Sequence, residues 1–179
     1  CGPGSGEQAC GDIGLGRMLE PLEILEIFSL SFSKGAMLGK SILITAGPTQ
    51  EPIDPVRFIT NRSSGKMGYS LAEAAIESGA NVTLISGPVN IEPPTNCNLV
   101  EIKTAKEMYE SVMHHIKGMD VYIGTAAVSD YSPAHINESK LKKDGSNAAM
   151  TLELKENQDI LKSVSELKER PYVCLLYTS

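Results

Sequence analysis

Short apolar runs separated by stretches of helical period constrain the fold of this chain more than any other feature. Ser41-Ile-Leu-Ile-Thr-Ala46, Val82-Thr-Leu-Ile85, Leu99-Val-Glu-Ile102 and Val121-Tyr-Ile-Gly-Thr125 have the length and β-branched content of buried parallel strands. After the first, Met67, Leu71, Ala74 and Ala75 fall at i, i+4, i+7 and i+8. They predict a helix that opens near Ser64–Lys66 and is ended by Gly79. After the third, Thr104 and Glu107 have capping-box spacing, and Met108, Tyr109, Val112, Met113 and Ile116 share one helical face. Strands alternating with helices predict βαβ units, and right-handed crossovers put helices on both faces of the sheet. The expected fold is a Rossmann-like three-layer α/β fold with a mostly parallel sheet. Beyond Ala126 the regularity lapses until a period-2 strand at Thr151-Leu-Glu-Leu154. Ile160, Leu161, Val164 and Leu167 predict a last helix, and Pro171-Tyr-Val173 begins another core strand.

A chain of 179 residues with 41% hydrophobic content can bury one core and little more. Residues 1–39 give only one helical signal, with Pro21 in its first turn and Leu22, Leu25 and Phe28 at helical spacing. They are expected to be the tail of a larger unit plus a linker, followed by a main domain over 40–173. The net charge of −6 argues against duplex nucleic acid as a partner. No apolar run has the length of a membrane span, and the N-terminal stretch lacks the regions of a signal peptide. Cys1, Cys10, Cys97 and Cys174 form no CxxC pair, and reduced thiols in the cytoplasm are the expectation.

Ligands of an open α/β sheet bind beyond the carboxyl ends of its strands. Three segments are candidates there: Gly47 to Lys66, Ala126 to Ser132, and the irregular stretch Glu138 to Gly145. In the first, Gly47-Pro-Thr49 follows the strand, and Asn61-Arg-Ser-Ser-Gly-Lys-Met-Gly68 opens the helix. Gly65 and Gly68 allow close backbone approach, Ser63 and Ser64 bring hydroxyls, and a helix start presents free N–H groups. The set reads as an anion cradle or, equally well, as a serine cap with packing glycines. Neither GxxxxGK[ST] nor GxGxxG is present. Asp130 is either a turn residue or a ligand for substrate hydroxyl or amide groups. Lys140-Leu-Lys-Lys143 is either a solvated face or a lid of compact charges over a triphosphate. His114, His115 and His135 read as surface or packing residues.

The run Ile44-Thr-Ala-Gly-Pro-Thr-Gln-Glu-Pro-Ile-Asp-Pro-Val-Arg-Phe-Ile-Thr-Asn-Arg-Ser-Ser-Gly-Lys-Met-Gly68 closely resembles the signature of the phosphopantothenate–cysteine ligase family. Gly79-Ala-Asn-Val-Thr-Leu84, Gly124-Thr-Ala-Ala-Val-Ser-Asp-Tyr131 and Lys140-Leu-Lys-Lys143 extend the match in register from about Gly39 to Val173. In bacteria such a domain typically follows an FMN-dependent phosphopantothenoylcysteine decarboxylase. Ala9-Cys-Gly-Asp-Ile-Gly-Leu-Gly-Arg-Met18 with Glu20-Pro21 resembles the last clamp of that enzyme.

The resemblance implies a role in coenzyme A biosynthesis. CTP would activate the carboxylate of 4′-phosphopantothenate, pyrophosphate would leave an acyl-cytidylate, and L-cysteine would displace CMP, with Mg²⁺ accompanying the triphosphate. By the same resemblance Gly47, Ser63, Gly65, Gly68, Asp130, Lys140, Asp159 and Ile160 would bind the nucleotide. Asn61, Ala126, Ala127 and Asp130 would hold the acyl group. Asn61 would act on the intermediate, Lys140 would help form it, and Arg57 would reach the acyl substrate across a dimer interface. Cys10 matches the decarboxylase proton donor, stranded here without its flavin site. A homo-oligomer is implied, with larger assembly through the decarboxylase.

Three departures from the family pattern stand out. Gln158 replaces a usual proline of the base-recognition loop, and Leu15 and Leu19 replace frequent prolines of the clamp. Residues 174–179 depart altogether and are expected to be a non-native tail on an incomplete ligase domain, with little or no activity in the chain as written. Two other functions fit the strand pattern: a non-catalytic nucleotide-binding module and an NAD(P)-dependent oxidoreductase. Against the oxidoreductase stand the missing GxGxxG and Ser86 where an acidic residue would end the second strand.

Overall fold

The computed structural model describes residues 4–7, 13–17, 21–25, 35–142 and 149–176, the first two segments through their backbone alone. Strands β1 (Gly4–Glu7) and β2 (Ile13–Arg17) form an antiparallel hairpin, and residues 21–25 are helical and exposed. The main sheet is five-stranded and wholly parallel. In chain order its strands are β3 (Ser41–Ala46), β6 (Asn81–Ser86), β7 (Asn98–Glu101), β8 (Val121–Gly124) and β11 (Tyr172–Leu175), and in space they run β11-β8-β3-β6-β7. Helices α1 (Lys66–Glu77), α2 (Ala105–His115) and α3 (Ile160–Ser165) cover it. Two small antiparallel pairs decorate the C-terminal end, β4 (Gln50–Pro52) with β5 (Phe58–Thr60) and β9 (Tyr131–Pro133) with β10 (Leu154–Glu156). Among the described residues no helix is long and apolar enough to cross a membrane.

The expected three-layer arrangement is present. Ile42, Ile44 and Ala46 of β3 pack against Tyr69, Ala72 and Ile76 of α1 on one face. Leu43 and Ile85 meet Met108 and Val112 of α2 and Ile160 and Val164 of α3 on the other. Alternation along a strand sends successive side chains to opposite faces, so a strand covered on both sides reads as a continuous apolar run. Burying each such aliphatic side chain contributes about 1.5–3 kcal/mol, before the entropic cost of ordering the chain is set against it.

Several expectations need correction. Helix α1 does begin at Lys66, and Gly79 follows its end at a φ of 88°. Its buried residues are Gly68, Tyr69, Ala72 and Ile76; of the four expected, Leu71 and Ala75 pack half-buried against the same core, whereas Met67 and Ala74 are exposed. Met67 is 42% exposed. Gly68 is the reason: it sits so close to β3 that an added Cβ would lie 2.5 Å from Ala46 Cβ, which turns its neighbours inward instead. The strand expected at Thr151–Leu154 begins only at Leu154, and its pairing partner β9 went unanticipated. Prolines concealed the β4–β5 hairpin, and the glycine-rich start concealed β1 and β2. Strand β11 takes in Cys174 and Leu175, two residues assigned above to the tail.

The capping box is as expected. Thr104 Oγ1 accepts from Glu107 N–H at 3.1 Å, and Glu107 Oε2 accepts from Thr104 N–H at 3.2 Å. Replacing Thr104 by alanine is expected to lower the free energy of unfolding by about 1 kcal/mol, read as a shift of the urea midpoint at constant slope. Buried Glu51 of β4 also accepts from Ala105 N–H at 2.9 Å, which moors the β4–β5 hairpin to the positive end of α2.

Candidate functional site

The loops that leave β3 and β8 run side by side. Thr49 N–H donates to Ala127 O at 3.3 Å and Ala127 N–H to Gly47 O at 2.9 Å. Ser129 N–H donates to the fully buried Thr49 Oγ1 at 3.0 Å. Thr60, at the end of β5, donates its hydroxyl to Thr49 O at 2.7 Å. The β4–β5 hairpin therefore delivers Asn61 to the crevice, where Asn61 Nδ2 donates to Val128 O at 3.1 Å and Ala127 O at 3.4 Å.

A cavity of about 310 Å³ opens beside these loops. Ala126, Val128 and Ile160 give it apolar walls, and Asp130 and Asp159 lie at its edge. Asn157 ties the two rims together: its N–H donates to Asp130 O, and its Nδ2 donates to Ser129 O, both at 2.8 Å. The Asp159 carboxylate accepts from Lys162 N–H at 2.9 Å and caps α3, so one of its oxygens is already committed. At the cavity floor, burial pushes the Tyr122 phenol up from its ordinary value. A side-chain hydrogen bond with Thr45 opposes that shift, and the nearby Asp159 charge adds to it.

The start of α1 adjoins the same crevice. Gly65 caps the helix at a φ of 75° without a side-chain cap bond. A Cβ on Gly65 would fall 3.5 Å from Gly47 Cα and 2.8 Å from Val89 Cγ1, and Gly47 is itself at a φ of 74°. Both glycines are thus required by conformation as well as by space. Gly65 N–H donates to Ser63 Oγ at 3.3 Å, and Lys66 N–H donates to Ser64 Oγ at 3.4 Å. Each hydroxyl accepts one long bond and keeps its proton for a further acceptor. Gly68 is a packing residue in this geometry, pressed against Ala46 and Thr125.

Arg57 and Lys140 stand apart from the cavity lining. The Asp54 carboxylate, 3% exposed as a residue, accepts from Arg57 Nε at 2.9 Å, from a second Arg57 nitrogen, and from the N–H groups of Val56 and Arg57. It also accepts from Leu141 N–H at 3.1 Å, while Arg57 donates to Leu141 O at 2.8 Å. The Arg57 guanidinium holds the Asp54 carboxyl well below the usual carboxylate range, with the backbone donors assisting against burial. A lowered folded value makes this contribution complete above the ordinary carboxylate value, and it is lost as pH falls through the lowered one.

The structure therefore brings together Asn61, Ala126, Ala127, Asp130, Asp159 and Ile160, with Gly47, Gly65 and Ser63 adjoining. Lys140 is not among them; its segment is held on the Asp54–Arg57 pair. Cys10, Lys143 and Gly145 lie outside the described residues. Sequence reasoning missed Thr49, Asp54 and Asn157, each of which acts on main-chain groups of another segment, a role with no local pattern. A larger cavity of about 610 Å³ lies at the ends of β6 and β7; Val89, which abuts Gly47 and Gly65, is in its lining, and none of the expected site residues is. Among the described residues no group of three or more His, Cys, Asp or Glu side chains could hold a metal ion.

A protein-family model described as the DNA/pantothenate metabolism flavoprotein C-terminal domain matches residues 37–177. The chain belongs to that family. Similarity to this flavoprotein C-terminal domain extends to named relatives. The coenzyme A biosynthesis bifunctional protein CoaBC of Vibrio vulnificus is 54% identical over 172 residues, covering 96% of this chain and 43% of that protein. The CoaBC protein of Escherichia coli is 47% identical over 175 residues, with the same coverage. The chain thus spans less than half the length of these relatives. A crystal structure of the C-terminal domain of a CoaBC protein superposes with a TM-score of 0.68 at 45% identity, covering 78% of this chain and 64% of that one. The family membership and the parallel α/β architecture agree with the expectations from sequence.

Proposed function

We propose that this chain is most of the nucleotide-binding part of a CTP-dependent phosphopantothenate–cysteine ligase acting in coenzyme A biosynthesis. The observation that carries this reading is the joining of the Gly47–Thr49 and Ala126–Asp130 loops by main-chain hydrogen bonds, with Asn61 held on the second of them beside a cavity rimmed by Asp130 and Asp159. Similarity to CoaBC proteins over nearly the whole chain supports it.

The pantothenate carboxylate attacks the α-phosphorus of CTP, the bond to the β-phosphate breaks, and pyrophosphate departs. The cysteine amine then attacks the acyl carbon, loses a proton, and CMP departs. Both reactants are anionic, so positioning and charge neutralisation are the protein's main tasks. The N–H groups at the start of α1 and the hydroxyls of Ser63 and Ser64 receive the phosphates. The cavity between Asp130 and Ile160 receives the base and ribose. Asn61 orients the acyl group through its hold on Val128, and Lys140 neutralises charge as the acyl-cytidylate forms. The donor set suits a Mg²⁺ carried chiefly by the phosphates, since Mg²⁺ usually keeps several waters and takes few protein ligands. Arg57, whose side chain is 42% exposed, keeps a free face for the acyl substrate of a second copy in a dimer. Residues 40–173 form the ligase part, and residues 1–39 close a preceding FMN-dependent decarboxylase that contains Cys10. The site is assigned to cytoplasmic metabolism.

The test is pyrophosphate release from the natural gene product. Release is expected with CTP and phosphopantothenate together, before cysteine is added, and CMP should appear in full only afterwards. Release independent of phosphopantothenate, or supported equally by ATP in place of CTP, contradicts the reading.

A further inference from the structure

The β4–β5 turn holds an ion pair whose buried member, Asp54, has no part in the catalytic steps above. Asp54 lies in the five-residue turn closed by Ile53 N–H donating to Arg57 O at 2.8 Å. Its two oxygens take the turn's own amides and the Arg57 guanidinium, which leaves one acceptor position that points at another segment. Leu141 N–H fills that position, and Leu141 O accepts from the same guanidinium. The pair thus engages both main-chain groups of a single residue, as one rung of an antiparallel ladder would. A further rung precedes it, since Asn137 N–H donates to Ile53 O at 3.0 Å. Between the two rungs sits Lys140.

We propose that the Asp54–Arg57 pair is a latch that docks the 137–141 segment on the β4–β5 turn and so fixes where Lys140 stands, which makes Asp54 a positioning residue for that lysine. The consequence for catalysis rests on the ligase reading given above; the latch itself does not. A lysine side chain is a flexible stem, and its backbone must be held for its charge to fall reproducibly on one phosphate. A carboxylate with a planar guanidinium offers an acceptor and a donor side by side, which suits the N–H and C=O of one residue. The same hairpin carries Asn61 at its far end, so one moored element sets the place of both candidate catalytic groups.

The experiment compares wild type, Asp54→Asn, Lys140→Ala and the double variant in the natural gene product. It uses two readouts, hydrogen–deuterium exchange over residues 137–142 and the single-turnover rate of CTP-dependent pyrophosphate release. The side-chain amide of the Asp54→Asn variant has one acceptor oxygen and no charge, so it cannot serve both the turn amides, which bond to one carboxylate oxygen, and the Leu141 and Arg57 donors, which bond to the other. Exchange at Leu141 is expected to rise by about tenfold or more while the core strands keep their protection. The single-turnover rate is expected to fall by about tenfold or more, and the double variant should be no slower than Lys140→Ala alone, because the two residues act through one charge. Unchanged exchange at Leu141 overturns the latch. Raised exchange with an unchanged rate, or losses that multiply in the double variant, overturns the positioning role. Pyrophosphate release absent from wild type overturns the ligase reading instead, while the exchange data still decide the latch. Should Asp54→Asn fail to fold, Arg57→Lys keeps the charge but loses the planar fork, and it must raise exchange at the same amide or the latch is wrong.

Discussion

Replacing Asn61 by aspartate is expected to lower the rate of cysteine ligation by about a hundredfold while leaving the fold intact. Asn61 is exposed and sits just beyond β5, so no core contact depends on it. Its Nδ2 is the donor for two carbonyl oxygens, Ala127 O and Val128 O, on the loop that borders the cavity. Aspartate has nearly the same shape but no donor, and it sets a negative oxygen against two carbonyls. The loop must then move away, and a misplacement of about 1 Å at a reacting centre can cost on the order of a hundredfold. Measured kcat should carry most of the loss, with the melting temperature close to wild type. Asn61→Ala, which removes the donor without adding repulsion, should be less severe. Equal losses in the two variants would mean that the amide touches substrate and does not organise the loop.

Gly87→Ala is expected to have the largest effect on stability. The residue follows β6, and its N–H donates to Ala46 O at 2.9 Å. A Cβ there would stand 1.7 Å from the Pro48 carbonyl oxygen, a backbone atom that cannot swing aside as a side chain can. Either the β6 end or the Gly47–Thr49 loop must shift. Overpacking of this kind costs about 1–3 kcal/mol and sometimes more. Because Thr49 is the acceptor for Ser129 N–H, the shift should also reach the site. The expected result is a lower urea midpoint together with weakened CTP binding. A variant as stable as wild type would show that this approach is looser than the geometry indicates.

The parallel sheet was legible because burial on both faces leaves little choice of residue. Ser41–Ala46 was read from the sequence at its observed limits, and Thr104 with Glu107 announced α2 by a local rule. The face of α1 was read only in part: Leu71 and Ala75 do pack on the core, but Gly68 carries no hydropathy, although its lack of a side chain is what lets the helix approach Ala46. Strands β4, β5, β9 and β10 have three residues each, too few to show a period. In the site, the glycines and Asn61 belong to a long motif and were found through it. Asp54 lay inside that motif without being singled out, because its partner Leu141 is 87 residues away and is reached through the main chain. Hydrogen bonds to distant backbone groups leave no trace in residue type, which is why the latch became visible only in three dimensions.

A crystal structure of the natural gene product with CTP and phosphopantothenate tests the central claim most directly. The account predicts the triphosphate at the start of α1, beside Gly47, Gly65 and Ser63, with the base in the cavity between Asp130 and Ile160. A nucleotide bound instead in the larger cavity at the ends of β6 and β7, with the first turn of α1 contacting no phosphate, would contradict it.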